Sequence, residues 1–164
     1  MENSLSTVRQ FPLERRKIWK KFISGMLGYG ILFLVIVVAT AAFNGFNFFS
    51  FAVLIELVLF VAFKVFYFWY QTQYFAKYYY DVSEEFLVIR KGVFMPRETT
   101  LPFEKLQDVY LDQDLFDRVF NLWDLHVSTA TFMSGFEAHI DGVSIENGEA
   151  IRKLVLEKIK STRK

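Results

Sequence analysis

The sequence is 164 residues long and rich in aromatic side chains, with 20 Phe, and its formal net charge at pH 7 is only +1. This balance argues against a nucleic-acid-binding protein with a broad basic surface, because phosphate neutralisation requires clustered Lys and Arg. The absence of cysteine excludes disulfides, thiolate zinc sites, iron–sulfur clusters and a cysteine nucleophile.

Charge is unevenly distributed along the chain. Residues 22–70 carry only two charged side chains, Glu56 and Lys64, whereas the sequence after them has the mixed charge of a soluble domain. We therefore predict three segments: a basic N-terminal segment over 1–21, an apolar segment over 22–70, and a globular domain over 74–160.

The apolar segment predicts a transmembrane helical hairpin. At about 1.5 Å per residue, the run 22–43 would span roughly 33 Å as a helix, close to the thickness of the bilayer hydrocarbon. Residues 44–47 have turn chemistry, and a second run of similar length follows over 48–70. Ala39 and Ala41 also fit a signal-peptide cleavage site, but the run is longer than the roughly 7–15 apolar residues of a signal.

Positive charge predicts the orientation of the hairpin. The cations that precede the first run are Arg9, Arg15, Arg16, Lys17, Lys20 and Lys21, and the connecting turn is uncharged. Cations beside a span resist translocation, so both termini are expected in the cytoplasm of a multi-pass protein of the cell membrane. Trp19, Trp69 and Tyr70 would act as interface anchors on that side.

Glu56 and Lys64 are the costly residues of the predicted hairpin, because an ionised group at bilayer depth is unfavourable by a few kcal/mol or more. About 12 Å of helix would separate them, too far for direct contact. Lys64 can snorkel to the cytoplasmic interface. Glu56 could be protonated, could bond a polar group of the first span such as Thr40, or could mark a subunit contact or a proton-linked site.

Small residues in the first span predict a close helix contact. Ser24 and Gly28 have the small-xxx-small spacing, and Gly25 and Gly30 extend the patch. The contact would lie either within the hairpin or with another subunit.

After residue 73 the apolar period changes from helical to strand-like, which predicts a mostly-β domain. Strands are predicted at 78–82, 86–90, in a run ending near 101, and at 106–113, 123–131 and 136–143. A short helix is predicted at 115–120, ended by Asn121 in the left-handed conformation. From Asn147, a plausible N-cap, an amphipathic helix would present one apolar stripe to the sheet, formed by Ile151, Leu154, Val155 and Ile159.

Several stretches of this domain occur in a familiar order and spacing. They are YYYDV at 78–82, LVIRKGVF at 87–94, LPFEKLQDV at 101–109, LFDRVFNL at 115–122, STA at 128–130 and DGV at 141–143. With the preceding helix pair, the sequence resembles the bacterial PH-like domain family of small two-span membrane proteins, except that Asn121 replaces the usual Gly. The resemblance implies a strongly bent antiparallel sheet, or partial barrel, capped by the terminal helix, with no agreed activity. It also implies a candidate partner, a larger membrane protein with several similar domains.

Basic residues near the second hairpin are lipid-contact candidates. Typical eukaryotic PH domains bind headgroups with cations on the first loop, but here 83–85 contains two acids, so phosphoinositide binding is not transferred. Arg90, Lys91 and Arg97 could contact anionic lipid, each contributing on the order of 1 kcal/mol, or could form an ordinary solvated turn.

Signals for chemistry are weak. If the last turn falls at 133–134, His126 would face Asp141, with His139 on the same outer face, but a one-residue slip would destroy this metal site and leave a polar sheet face. GxSxG, HExxH and phosphate-binding glycine motifs are absent from the sequence. We therefore predict no catalysis, no cofactor and no metal.

The leading hypothesis is a noncatalytic, membrane-anchored interaction or scaffold module. Its domain would dock a protein partner or its own copy at the cytoplasmic face. One alternative is a subunit of a transport-related assembly, in which Glu56 and Lys64 line a polar path between oligomerised hairpins. Another is sensing of anionic lipid through Arg90, Lys91 and Arg97.

Overall fold

The computed structural model describes residues 6–129 and 138–162. The chain forms two compact units. Ile18–Gln73 is called here the helical unit, and Met1–Lys17 together with Tyr74–Lys164 is called the β unit. The turn predicted around 133–134 lies outside the described residues.

Two long helices dominate the first half of the chain. Helix α2 covers Arg16–Phe43 and helix α3 covers Phe51–Lys77, after a short helix α1 at Thr7–Gln10. Helix α3 extends past the apolar run because no Gly or Pro interrupts its sequence. By length and composition, both long helices could cross a membrane.

Aromatic stacking joins α2 and α3 within the helical unit. The rings of Phe33 and Phe60 stack with their centroids 4.0 Å apart. A Cβ on Gly25 would clash with the Tyr67 hydroxyl oxygen, whereas one on Gly28 would meet nothing within 4 Å. The small-residue patch therefore serves a close contact inside the hairpin at Gly25, where the side chain of the other helix occupies the space.

The β unit contains two three-stranded antiparallel sheets, with strand orders β1-β2-β3 and β4-β5-β6. The strands are β1 Tyr79–Val82, β2 Phe86–Lys91, β3 Arg97–Pro102, β4 Leu106–Asp112, β5 Trp123–Thr129 and β6 His139–Val143. The predicted succession of antiparallel strands followed by a C-terminal helix is confirmed. The ladders are divided between two sheets, where the resemblance implied one bent sheet.

The core of the β unit lies between the sheets and helix α5, Ile145–Thr162. Apolar residues meet across the ladders, as Tyr80 does opposite Ile89 and Leu125 does opposite Ile140, and all four are buried. Helix α5 buries the stripe Ile151, Val155 and Ile159, whereas Leu154 is half-buried. Alternation in the strands and helical spacing in α5 thus direct their apolar faces to one core.

Helix α4, Leu115–Phe120, connects β4 to β5 through a tight turn. Asp114 and Asp117 form a capping box at its start, and Asn121 ends it with φ 51° and ψ 53°, as predicted. The predicted N-cap of α5 was wrong. Helix α5 begins at Ile145, and the Ser144 hydroxyl oxygen accepts the backbone N–H of Asn147 at 3.2 Å.

Candidate functional site

Residues 6–17, called here the N-terminal strap, bond to an edge strand of the first sheet. The Asp81 carboxylate of β1 accepts the backbone N–H of Thr7 at 2.7 Å and its hydroxyl at 2.9 Å. The Thr7 hydroxyl oxygen in turn accepts the backbone N–H of Val82 at 3.0 Å. Because β1 is the outer strand of its sheet, these bonds satisfy backbone groups that would otherwise face solvent.

The far end of the strap bonds to the edge strand of the other sheet. The backbone N–H of Glu14 donates to the Gly142 carbonyl of β6 at 2.9 Å. The Asn147 amide of α5 donates to the Pro12 carbonyl at 3.0 Å. The strap therefore joins β1 and β6, and no local pattern in the sequence indicated it, because its partners lie far along the chain.

Lys17 and Asp141 form a buried ion pair at the end of the strap. The Lys17 ammonium lies 2.9 Å from an Asp141 carboxylate oxygen and donates to the Asp141 carbonyl at 2.9 Å. It also lies 3.8 Å from the ring centroid of Tyr78. Gly142 has φ +81°, and a Cβ there would lie 2.6 Å from the Lys17 side chain, so glycine provides the room for this lysine.

Burial raises the pKa of the Tyr78 hydroxyl well above its ordinary value, and the negative charge of Asp141 raises it further. The hydroxyl stays protonated and donates to the backbone carbonyl of His139 at 3.0 Å. The sequence assigned Lys17 only to the cationic flank of the first span. In the structure it is part of the β unit.

Glu56 bonds to Thr40 within the helical unit. The Thr40 hydroxyl on α2 donates to one Glu56 carboxyl oxygen on α3 at 2.7 Å. The other carboxyl oxygen, Oε2, is buried and has no hydrogen-bond partner among the described residues. Of the options that the sequence left open for Glu56, the structure therefore contains the bond to Thr40.

Lys64 and the aromatic anchors lie toward the opposite end of the helical unit from the α2–α3 link. The Lys64 ammonium is 5.9 Å from the Phe60 ring centroid. Lys64 also lines an open groove of ≈ 420 Å³ together with Trp19 and Phe68, whose ring centroids are 5.2 Å apart. Trp69 is half exposed, with its ring centroid 5.7 Å from that of Phe66, and Tyr70 follows it on α3.

The three lipid-contact candidates have different surroundings. Arg90 donates two hydrogen bonds to one Glu98 carboxylate oxygen, at 2.8 and 2.5 Å. The Lys91 ammonium lies 5.5 Å from the ring centroid of Tyr78, and Arg97 is exposed. The positive charge of this hairpin is therefore partly compensated inside the β unit.

The histidines of β5 and β6 form a pair, but the assumed register was wrong. His126 lies directly opposite His139, with ring centroids 5.5 Å apart, whereas Asp141 lies opposite Asp124. The His126 Nε2 atom is 3.1 Å from Asp112. In the part of the chain that the structure describes, no group of three or more His, Asp or Glu side chains could hold a metal ion.

Two connections of the β unit expose large apolar side chains. Phe94 and Met95, between β2 and β3, are 67% and 89% exposed. Leu115 and Val119, one turn apart on α4, are each 74% exposed. Neighbouring exposed apolar side chains of this kind are candidates for contact with a partner surface.

Comparison with protein families matches the Bacterial PH domain family over residues 23–159. No curated protein and no solved structure matches the chain. The matched region covers more than half of the sequence and includes most of the two long helices together with the strands and α5. The chain therefore belongs to the Bacterial PH domain family, as the resemblance of its sequence indicated.

Proposed function

We propose that the chain is a noncatalytic interaction module, anchored by its helical hairpin in the cytoplasmic membrane with both termini in the cytoplasm. The β unit then docks a protein partner, or a second copy of the chain, close to the membrane surface. Membership of the family supports the general part of this proposal, because PH domains are typically interaction or lipid-binding modules.

The observation that carries the proposed topology is the attachment of the strap to the β unit. Thr7 precedes the first long helix and Lys17 lies in its first turn, ahead of the apolar run, while their partners Asp81 and Asp141 follow the second long helix. A segment before the hairpin and a domain after it can share one fold only if both lie on the same side of a membrane. An even number of crossings satisfies this requirement, and the flanking cations favour the cytoplasmic side.

The surface of the helical unit supports insertion in lipid. Its large apolar side chains point outward and remain exposed, among them Leu32, Leu34, Val35, Val58, Leu59 and Val65. Soluble proteins rarely expose contiguous apolar surfaces of this extent. A bilayer would cover them.

The topology can be tested with single cysteines, because the chain has none of its own. Asn44→Cys, in the link between the helices, should react with a membrane-impermeant maleimide added to intact cells. Ser161→Cys, near the end of α5, should react only after permeabilisation. Labelling of Ser161→Cys in intact cells would contradict the proposal, as would recovery of the untagged chain in soluble form without detergent.

Docking can be tested by purification in mild detergent. We expect the full chain to co-purify with a second protein or as an oligomer, and a larger membrane protein with several similar domains is the first candidate. The matched variants Leu115→Ser and Val119→Ser would test whether α4 contributes to the contact. Recovery of monomer alone, under conditions that preserve other membrane complexes, would count against docking.

A transport-related assembly is the second candidate, because the Oε2 atom of Glu56 is buried without a partner among the described residues. Glu56→Gln keeps an acceptor for the Thr40 hydroxyl but removes the titratable proton. If proton or ion movement depends on Glu56, this variant loses the associated phenotype while keeping its assembly. An unchanged phenotype would remove the main support for transport.

A further inference from the structure

The connection between β2 and β3 presents two apolar side chains outward from a constrained backbone. Val93 is buried, while Phe94 and Met95 are largely exposed. Gly92 has φ +113°, and a Cβ there would lie 2.5 Å from the Met95 carbonyl oxygen, so the backbone folds tightly back on itself. A shape fixed in this way lowers the entropy lost when the exposed side chains contact a partner.

A hydrogen bond ties this connection to the end of helix α3. The Lys77 ammonium donates to the Val93 carbonyl at 3.2 Å. Lys77 is the last residue of α3 and follows soon after Tyr70, where the apolar run ends. The segment between them spans roughly 10 Å as a helix and no more than about 25 Å when extended. The connection is therefore tethered within reach of the end of the apolar run.

We propose that Phe94 and Met95 form a membrane-inserting tip, which enters the interfacial layer of the bilayer that the hairpin crosses. This inference rests on the proposed function, because it requires α3 to reach the cytoplasmic interface near Tyr70. Large apolar side chains at the tip of a constrained turn fit the boundary between headgroups and acyl chains. The tip then holds the β unit against the membrane surface.

The surroundings of the tip favour apolar contact over attraction to anionic headgroups. Arg90 is paired with Glu98, and the Lys91 ammonium lies over the Tyr78 ring. Arg97 is the exposed cation nearest in sequence. Contact through the tip should therefore depend little on the fraction of anionic lipid. A site that bound headgroups through these cations would depend on it strongly.

Depth-dependent fluorescence quenching can test this inference on the full chain in liposomes of phosphatidylcholine. Met95→Cys carries an environment-sensitive fluorophore, and doxyl groups are placed either high or low on the lipid acyl chains. We expect several-fold stronger quenching of this label by the shallow doxyl group than by the deep one. Adding anionic phosphatidylglycerol should leave the quenching almost unchanged.

Two reference sites distinguish failure of this inference from failure of the proposed function. Val58→Cys, near the middle of the apolar run 48–70, should be quenched by the deep doxyl group. Val119→Cys on α4, similarly apolar and exposed, should be quenched weakly. An unquenched Val58 label would overturn the membrane anchor itself, and the tip with it.

Three other results would overturn the tip alone while Val58 is quenched. The first is an unquenched label at Met95. The second is equal quenching at Val119, which would mean that the β unit lies on lipid without using a particular tip. The third is quenching at Met95 that appears only with anionic lipid, which would indicate attraction to headgroups. Shielding of the Met95 label only after other membrane proteins are added to the liposomes would likewise overturn the tip, because it would indicate a protein contact.

To exclude insertion driven by the fluorophore, oxidation of the unlabelled Met95 thioether by peroxide can be followed by mass spectrometry. We expect oxidation of Met95 to be several-fold slower in liposomes than in detergent micelles that cover only the helical hairpin. Phe94→Ser should reduce this protection in liposomes. Equal oxidation rates in both environments would overturn the tip.

Discussion

The buried Lys17 at the end of the strap makes an ion pair, a hydrogen bond and a cation–π contact within the β unit. Lys17 is only 2% exposed and Asp141 only 4%. Their charges compensate each other where water cannot, and the Tyr78 ring adds a cation–π contact. Removing one charge leaves the other buried and uncompensated, which is generally more costly than removing both.

Lys17→Met should therefore destabilise the β unit by about 3–5 kcal/mol. The double variant Lys17→Met/Asp141→Leu should recover part of that loss, because it leaves no isolated charge. Amide hydrogen exchange in β6 measures the change directly. Lys153→Met, an exposed cation on α5, is the control and should leave the exchange unchanged. If Lys17→Met and Lys153→Met changed the exchange rates in β6 equally, the structural role of the Lys17–Asp141 pair would be contradicted.

Two buried tyrosines predict a loss of stability at alkaline pH. Burial raises the pKa of Tyr78, whose ordinary value is 10.0, and also that of Tyr80, which donates a hydrogen bond to the Phe11 carbonyl of the strap. As the pH rises past about 10, the unfolded chain loses these protons before the folded chain does. The two protonated hydroxyls therefore contribute fully to the free energy of unfolding below about pH 10. This contribution is lost as the pH rises through the raised pKa values of the folded chain.

The unfolding temperature should accordingly fall more steeply above about pH 10 in the native chain than in Tyr78→Phe, where one titrating group is absent. The Phe variant also loses the bond to His139, so the slope with pH, rather than the absolute temperature, is the quantity to compare. Parallel slopes for the two chains would contradict the assignment.

Among the elements, helix α4 shows how far local signals determine structure. Its bounds and the left-handed Asn121 match the prediction, because capping residues and an αL-tolerant terminus act within one or two turns.

Asp114→Ala should destabilise the β unit by about 1 kcal/mol through loss of the cap. Leu115→Ala, which removes an exposed side chain on the same helix, should change stability by less than about 0.5 kcal/mol. Denaturant unfolding in detergent measures both, and equal losses would contradict the role of the cap.

The hydrogen bond between Thr40 and Glu56 should contribute measurably to the association of α2 with α3. Thr40→Val removes the hydroxyl that bonds Glu56 and should weaken the helix pair by about 0.6 kcal/mol, the average for such bonds in membranes, and by at most about 1.7 kcal/mol. Thr72→Val, which removes a bond to a carbonyl of its own helix, is the control. Steric trapping in bicelles measures the association of the two helices. A larger loss for Thr72→Val would contradict the prediction.

Other elements show where sequence reasoning failed. Ser144 and Asn147 are both good capping residues; in the structure the Ser144 hydroxyl accepts the Asn147 backbone N–H, while the Asn147 side chain bonds to the distant Pro12 carbonyl. The pairing of β5 with β6 depends on the length of their connection, so the assumed turn gave His126 the wrong partner. The small-residue patch of the first span predicted a close contact either within the hairpin or with another subunit; the structure has such a contact at Gly25, whereas Gly28, which has the small-xxx-small spacing, meets nothing within 4 Å.

On the scale of the whole molecule, the strap changes what counts as the folded domain. The sequence suggested a domain over 74–160, with 1–21 as a separate basic segment. The structure assigns Met1–Lys17 to the same compact unit as Tyr74–Lys164. A composition shift can mark an apolar segment, but it cannot indicate hydrogen bonds between residues separated by the whole hairpin.

A fragment of residues 74–164 should therefore be less stable than the β unit of the full chain, and should self-associate through the uncovered edges of β1 and β6. A synthetic peptide of residues 6–17 should bind the fragment and shift it toward monomer. The same peptide with Thr7→Val and Lys17→Met is the matched control and should bind more weakly. Size-exclusion chromatography provides the readout, and a stable, monomeric fragment would contradict the edge-covering role of the strap.

The strap also sets the order of events during synthesis. It is synthesised ahead of the apolar runs, whereas Asp81 and Asp141, the carboxylates that hold it, are made only after both long helices. The strap must therefore wait in an accessible state until translation of the last strand. Under the proposed topology, a nascent chain that threaded one helix too few would leave the strap across the bilayer from its partners, and the β unit would not form. Completion of the β unit would then report correct insertion of both helices.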